Sequence, residues 1–285
     1  MAPFFFFDFT LDKSAMPPVE DIPEQVFIKP AQRTEQTNLC PYPIPKIDEI
    51  VKDIDSCTYQ VYKHKFVSDL FECGAIAISN QVDRFNRDER EERYMQIIKN
   101  YKPAQQKSLA EIFAKIYALL SSVVYDNGVF NDYLGEIFMR CNLGRKAAGQ
   151  FFTPYNVSSL MARCLLDSDR LKKKAEKGKI ISINDPACGG GGMLIAALEV
   201  LRSFGINYAR DCFIEANDID IRCVHMTYLQ LSLAGAPAIV RHQDTFSRDC
   251  WSVWYTPAYL FQYLRFHKFD NPYDNSKFQQ RRQQL

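Results

Sequence analysis

Apolar residues recur at helical spacing through much of the first half of the chain. From about Ile47 to Tyr125, Leu70, Phe71, Ala75, Ile76 and Ile78 form one apolar group, and Tyr94, Ile97 and Ile98 a second. Pro103 separates these from a longer amphipathic segment carrying Leu109, Ile112, Phe113, Ile116, Leu119, Leu120 and Val124, which Asn127-Gly128 ends. Between the groups, Arg84 to Arg93 alternates both charge signs and reads as a solvated helix face with intrahelical pairs. A further helix is predicted from Val157 to Leu166, with Val157, Leu160, Met161, Cys164 and Leu165 as its apolar set. Arg170 to Lys179 then reads as a solvated basic linker.

After that linker the period changes. Ile180-Ile181-Ser182-Ile183 is a β-branched run, and Met193 to Leu201 is helix-prone. A second strand, Cys212 to Ala216, precedes a helix from Ile221 to Leu233 that Gly235 terminates, with Asp220 as its N-cap and His225 packing inside it. Ile239-Val240 opens a third strand. Trp251 to Phe266 places seven aromatic residues near helical spacing, the pattern of a core or interface helix. Strands alternating with helices predict an α/β fold with a parallel sheet behind a helical N-terminal region.

Composition narrows the class. Eight of the fourteen prolines lie in residues 1–46, which predicts an extended or disordered arm. The expected organisation is that arm, a helical region over 47–145 and an α/β domain over 146–285. Hydrophobic residues make up 47% of the 285, enough for a sizeable core. The net charge of +1 announces no nucleic-acid binder and excludes none with a local basic face. Nine cysteines, an odd number without paired Cys-x-x-Cys spacing, argue against a zinc site and a disulfide framework, and imply a reducing cytoplasm. No metal is expected. The apolar Phe4–Phe7 start lacks the basic region of a signal peptide, and no run is long enough for a membrane span.

The candidate chemistry lies where the first strand meets its helix. Asp185-Pro186-Ala187-Cys188 leads into four glycines, Gly189 to Gly192, and then Met193-Leu194. Strand, acid, glycine turn and helix is how a nucleotide-binding βα unit begins. Glycines allow left-handed backbone and close approach of a ligand. No Gly-Lys-Ser/Thr follows, so this is not a P-loop, and the Gly-x-Gly-x-x-Gly spacing of dinucleotide folds is not matched. An acid at the end of the second strand would accept hydrogen bonds from ribose hydroxyls, with Asp218 and Glu215 the candidates.

Asp185 to Leu194 resembles the S-adenosyl-L-methionine loop of adenine-N6 DNA methyltransferases, above all the methylation subunits of type I restriction-modification systems, in which a serine is common where Gly190 stands. Three more motifs extend the likeness over Asp132 to Phe246. Asp132-Tyr133-Leu134-Gly135-Glu136-Ile137-Phe138 is similar to the segment that enters the catalytic domain, and Gly149-Gln150-Phe151-Phe152-Thr153-Pro154 to the first cofactor motif. Taken alone, that hexamer is a helix entry capped by Thr153. Gln243-Asp244-Thr245-Phe246 is similar to the third motif. The resemblance implies a partial Rossmann-like S-adenosyl-L-methionine-dependent fold, with Phe152, Thr153 and Pro154 over the cofactor, Asp185, Ala187, Gly189, Gly190 and Gly191 cradling it, Asp218 on the ribose and Asp244 on the adenine. Without the resemblance, Asp244 is a turn aspartate.

The family's catalytic Asn/Asp-Pro-Pro-aromatic loop has its nearest counterpart in Asn271-Pro272-Tyr273, one proline short and followed by twelve residues. The family's sheet needs further strands after this loop, and the aromatic segment from Trp251 could cover the edge that they leave bare. The implied function is adenine-N6 methylation of double-stranded DNA, with a recognition subunit or a second methyltransferase chain as partner and poor activity of the chain alone. Two alternatives stay open: a cofactor-binding partner or decoy module without catalysis, and a methyltransferase acting on RNA or a small molecule.

Overall fold

The computed structural model describes residues 38–58, 62–143 and 152–266, with side chains to 262. The described residues from Leu39 onward belong to one compact unit. Of the proline-rich arm only 38–46 are described, and they hold no helix or strand. Asn271, Pro272 and Tyr273 lie outside the described residues.

Helices α1 (Ile47–Cys57), α2 (Lys63–Ser79), α3 (Arg87–Ile98) and α4 (Pro103–Ser121) form the helical region. Pro103 takes the first position of α4, where its missing N–H costs nothing. The charged run is not wholly solvated. Arg90 is buried, 2.8 Å from the Asp83 carboxylate. It donates to the carbonyl of Val253 at 2.8 Å, and its guanidinium lies 4.1 Å from the Trp254 ring centre. An arginine that satisfies its fork on both sides can leave the surface, and this one ties α3 to the sheet.

Helices α5 (Tyr133–Arg140), α6 (Tyr155–Leu165) and α7 (Ser168–Glu176) lead to the sheet. The expected basic loop is helix α7. Asp167 caps it by accepting from Arg170 N at 3.0 Å, its lysines are good helix formers, and Leu171 and Ala175 pack on the core. The apolar set of α6 also departs from expectation. Val157, Leu160, Met161, Cys164 and Leu165 face outward, with Leu160 62% and Leu165 73% exposed. Ser158 and Ala162 are buried instead, and Ala162 packs against Ala196 and Val200, small residues that allow close approach.

Strands β1 (Ile181–Asp185), β2 (Cys212–Asp218) and β3 (Ala238–Gln243) pair in parallel, in that order, and β4 (Cys250–Tyr255) pairs antiparallel on β3. Ile183 sits beside Ile214, and Ala216 beside Val240. Helices α8 (Gly192–Ser203), the short α9 (Tyr208–Asp211) and α10 (Ile221–Leu233) connect the parallel strands. The α/β alternation stands as expected, and the sheet is the partial Rossmann-like one that the resemblance implied, mixed instead of wholly parallel because β4 runs against β3. The aromatic segment is strand β4 followed by helix α11 (Pro257–Phe266), so it covers the β3 edge and not β1. Thr256 makes the break: its hydroxyl donates to the Ala236 carbonyl at 2.7 Å and accepts from Ala238 N at 2.8 Å.

One continuous core joins the helical region to the sheet through Phe66, Phe71, Leu134, Phe138, Leu198, Val224 and Tyr228. His225 is buried in it against Trp254, ring centres 5.0 Å apart. None of the nine cysteines is in a disulfide. Among the described residues no helix is long and apolar enough to cross a membrane, and no cluster of His, Cys, Asp and Glu could hold a metal ion.

Candidate cofactor site

The site is built at the carboxyl end of β1. Gly189 and Gly191 have φ of 54° and 92°, the left-handed region that disfavours a side chain. That pair of turns swings the chain from the strand into α8, whose N-cap is Gly191. Space is as tight as the backbone is special. A Cβ at Gly192 would stand 2.8 Å from Asp132 Oδ2, and one at Gly191 3.0 Å from Thr227 Oγ1.

The neighbouring helix holds the loop from behind. Thr227 Oγ1 donates to the Gly189 carbonyl at 2.9 Å. Gln230 Nε2 donates to the Gly190 carbonyl at 2.6 Å and to Asp132 Oδ1 at 2.8 Å. Both side chains are buried on α10, one turn apart, and buried polar groups need partners. The sequence analysis assigns neither a role, and in α10 they are two of several buried polar residues, with Arg222, His225 and Ser232.

Asp218 ends β2 beside the same loop. Its Oδ2 accepts from Gly189 N and its Oδ1 from Asp220 N, both at 2.8 Å. Each carboxylate oxygen keeps acceptor capacity for a further donor. Burial raises the Asp218 carboxyl above its ordinary range, with the nearby Asp220 and Asp185 carboxylates adding to the rise and the two backbone hydrogen bonds opposing it. Glu215, the alternative, is ion-paired with Arg241 at 3.0 Å. Asp220 caps α10 by accepting from Arg222 N at 3.0 Å. Asp185 accepts from Ala187 N at 3.1 Å, and burial raises its carboxyl too.

The aromatic motif closes the site from the front. The Phe152 ring packs on Phe138, centres 5.6 Å apart, and a Cβ at Gly189 would lie 3.2 Å from it. Thr153 is exposed and does not cap α6; Pro154 is the N-cap, with no side-chain bond. The described residues bound a cavity of about 120 Å³ lined by Asp132, Phe152, Thr153, Ser158, Asp185, Ala187, Cys188, Gly189, Gly190, Gly192 and Met193. The described lining residues include two carboxylates and no lysine or arginine. A larger groove of about 520 Å³ between α1 and α4 holds none of the motif residues.

The fold therefore brings Phe152, Thr153, Asp185, Ala187, Gly189 and Gly190 to one cavity, while Gly191 lies in the same loop and Asp218 bonds to it outside the lining. Pro154 and Asp244 are not in the lining. Asp244 follows β3 and organises its own turn, its Oδ1 accepting from Phe246 N at 2.8 Å and Ser247 N at 3.2 Å. The next residue, Thr245, donates to the Pro186 carbonyl and so ties that turn to the loop after β1.

Comparison with known proteins gives the site a context. The family model described as N-6 DNA Methylase matches residues 125–283, more than half of the chain. A type I restriction enzyme MjaIX methylase subunit of Methanocaldococcus jannaschii is 29% identical over 139 residues, which is 49% of this chain and 20% of that protein. The chain thus spans about a fifth of the length of this curated relative. Among solved structures, a type I restriction-modification system methyltransferase subunit from Streptococcus thermophilus aligns over 74% of this chain and 42% of its own, at 17% identity and a TM-score of 0.37.

Proposed function

The chain belongs to the N-6 DNA methylase family, and from that premise we propose that it forms the S-adenosyl-L-methionine-binding part of a type I-like DNA adenine-N6 methyltransferase. The observation that carries the cofactor assignment is the charge of the cavity. Two carboxylates line it, Asp218 holds the adjoining loop, and no cationic side chain is among the described lining residues. Such a site disfavours phosphate-bearing nucleotides by like-charge repulsion and suits a phosphate-free nucleoside that carries positive charge. The bound cofactor would supply a methyl group on a positively charged sulfur. The glycine cradle, which any Cβ at Gly192 would fill, fits close backbone contact with it.

The residues have distinct tasks in this reading. Gly189 to Gly192 give the cofactor access to the backbone, and Thr227 and Gln230 keep their carbonyls from competing for it. Asp218 accepts from the ribose while holding Gly189 N, so ribose contact and loop position are coupled through one carboxylate. Phe152 covers Gly189 and excludes water. Asp244 is proposed for the adenine amino group, Asn271 for the target amine and Tyr273 for stacking on a flipped base. The domain boundary near residue 146 belongs to the same reading, as do a cytoplasmic setting and partners in double-stranded DNA and a recognition subunit or second methyltransferase chain. The outward apolar stripe on α6 supports a protein partner.

The test is calorimetric titration of the purified chain with S-adenosyl-L-methionine, followed by methyl transfer to unmethylated DNA beside Asn271→Ala. Binding of the cofactor, with ATP not bound, is the expected result. Methylation lost in Asn271→Ala would give the chain its own catalytic loop. Binding without methylation would leave the cofactor module as the function of the isolated chain. Absence of binding would overturn the proposal.

A further inference from the structure

The cavity wall holds two buried polar side chains, Asp132 and Ser158, that the proposed function leaves without a ligand contact. Ser158 is fully buried, lines the cavity, and its hydroxyl has no hydrogen-bond partner among the described residues. Asp132 is 6% exposed and lines the same cavity. Its Oδ1 is satisfied by Gly135 N at 2.9 Å and by Gln230 Nε2 at 2.8 Å. Its Oδ2 is the atom that a Cβ at Gly192 would strike.

A buried carboxylate in a cavity wall calls for a cation, and a buried hydroxyl in the same wall can serve an anion. An α-amino acid group carries both charges on adjacent atoms. We propose that Asp132 and Ser158 form the subsite for the amino-acid end of the cofactor, with the Asp132 carboxylate accepting from the α-ammonium and the Ser158 hydroxyl donating to the α-carboxylate. This rests on the reading of the cavity as an S-adenosyl-L-methionine site and adds to it the residues that distinguish the whole cofactor from its nucleoside part. Gln230 positions the pair by holding Asp132 and the Gly190 carbonyl from one amide. Desolvation raises the Asp132 carboxyl, as expected for a carboxylate that has yet to meet its cation.

Three ligands separate the possibilities. S-adenosyl-L-methionine has the sulfonium and the amino-acid group, S-adenosyl-L-homocysteine lacks only the sulfonium charge, and 5′-methylthioadenosine lacks the amino-acid group. Titrate each into the wild-type chain, Asp132→Asn and Ser158→Ala. Asn keeps an acceptor for Gly135 N, and removing an unpaired hydroxyl leaves no new orphan, so both variants should melt near wild type. Asp132→Asn should weaken the first two ligands about tenfold or more and equally, and leave 5′-methylthioadenosine within about twofold. Ser158→Ala should show the same pattern with a smaller loss. Equal loss of all three ligands would mean a structural role, loss of S-adenosyl-L-methionine alone would move Asp132 to the sulfonium, and unchanged affinities would remove both residues; each overturns the proposal while leaving the cofactor assignment intact. A wild-type chain that binds none of the three overturns that assignment and this one with it.

Discussion

Two helices flank the glycine loop, and they carry nearly the same hydrophobic pattern to opposite ends. In α8, Leu194, Ile195, Leu198 and Leu201 are all buried, along with Ala196, Ala197 and Val200. In α6, apolar residues recur at 157, 160, 161, 164 and 165, the spacing of a core stripe, and all of them are exposed. The contact between the helices explains the inversion. Ala162 of α6 meets Ala196 and Val200 of α8. Around that small-residue seam, Tyr155 and Ser159 donate to Glu199 at 2.9 and 3.3 Å. A periodic stripe says that a helix has an apolar face; it does not say which body covers it. Here the inward face is chosen by close approach and a polar clasp, and the stripe is left for something else.

The sharpest way to break the contrast is to cut into α8. Leu198→Ala removes a fully buried side chain from the core, and should cost about 2–5 kcal/mol, read as a lowered denaturation midpoint at unchanged slope. A cost near zero would mean that α8 is no more a core helix than α6.

Next in size is the loop that α8 begins. Asp218→Ala removes an acceptor proposed for the ribose and also frees Gly189 N, and should cost about 1.5–3 kcal/mol of cofactor affinity by titration. Glu215→Ala, which breaks only the pair with Arg241, should cost less. The reverse order would shift the ribose contact three residues back along β2.

The inside of the molecule should also announce itself by pH. Burial depresses His225 from 6.5 to about 3, with His242, Arg90 and Arg93 adding repulsion and Asp220 opposing. The unfolded chain then binds the proton more readily than the folded one. The stability this represents is complete above about pH 6.5 and is lost as pH falls toward the folded value, by up to about 1.4 kcal/mol per unit. His225→Phe should flatten that part of the pH–stability curve. An unchanged slope would mean that His225 is not the buried neutral group described.

Residues whose meaning is local were legible in the sequence. The four glycines, the strand before them and the helix after them stand as expected, because left-handed turns and β-branched runs are properties of short stretches. Asp220 as a cap and His225 as packing belong to the same kind. Tertiary roles were not legible. Thr227 and Gln230 look like ordinary helix residues until the glycine carbonyls are in front of them. Arg90 sits in a run that any charge pattern assigns to solvent, and only Val253 and Trp254, more than 160 residues on, make it a buried one. Two departures from the hydrophobic pattern carry local signals of their own: Asp167 caps α7, and Thr256-Pro257 breaks β4 from α11.

The smallest expected effect is the one that tests the contrast from the α6 side. Leu160 is 62% exposed, and its neighbours on the stripe are exposed as well. Leu160→Gln removes apolar surface that folding leaves mostly exposed, keeps a side chain that favours helix, and disturbs neither Ala162 nor the Glu199 clasp. Its effect on the stability of the isolated chain should stay within about 0.5 kcal/mol. Cofactor affinity should be unchanged as well, since Ser158 and Thr153 reach the cavity from other sides of the same segment. The same substitution should matter once a partner is bound, because an exposed stripe at core spacing contributes only when another surface covers it. The measurement is therefore a pair: denaturation of the chain alone, and of the chain with a recognition subunit or second methyltransferase chain added. A loss of several kcal/mol in the chain alone would show that α6 buries its stripe in solution and that the inversion against α8 is not real.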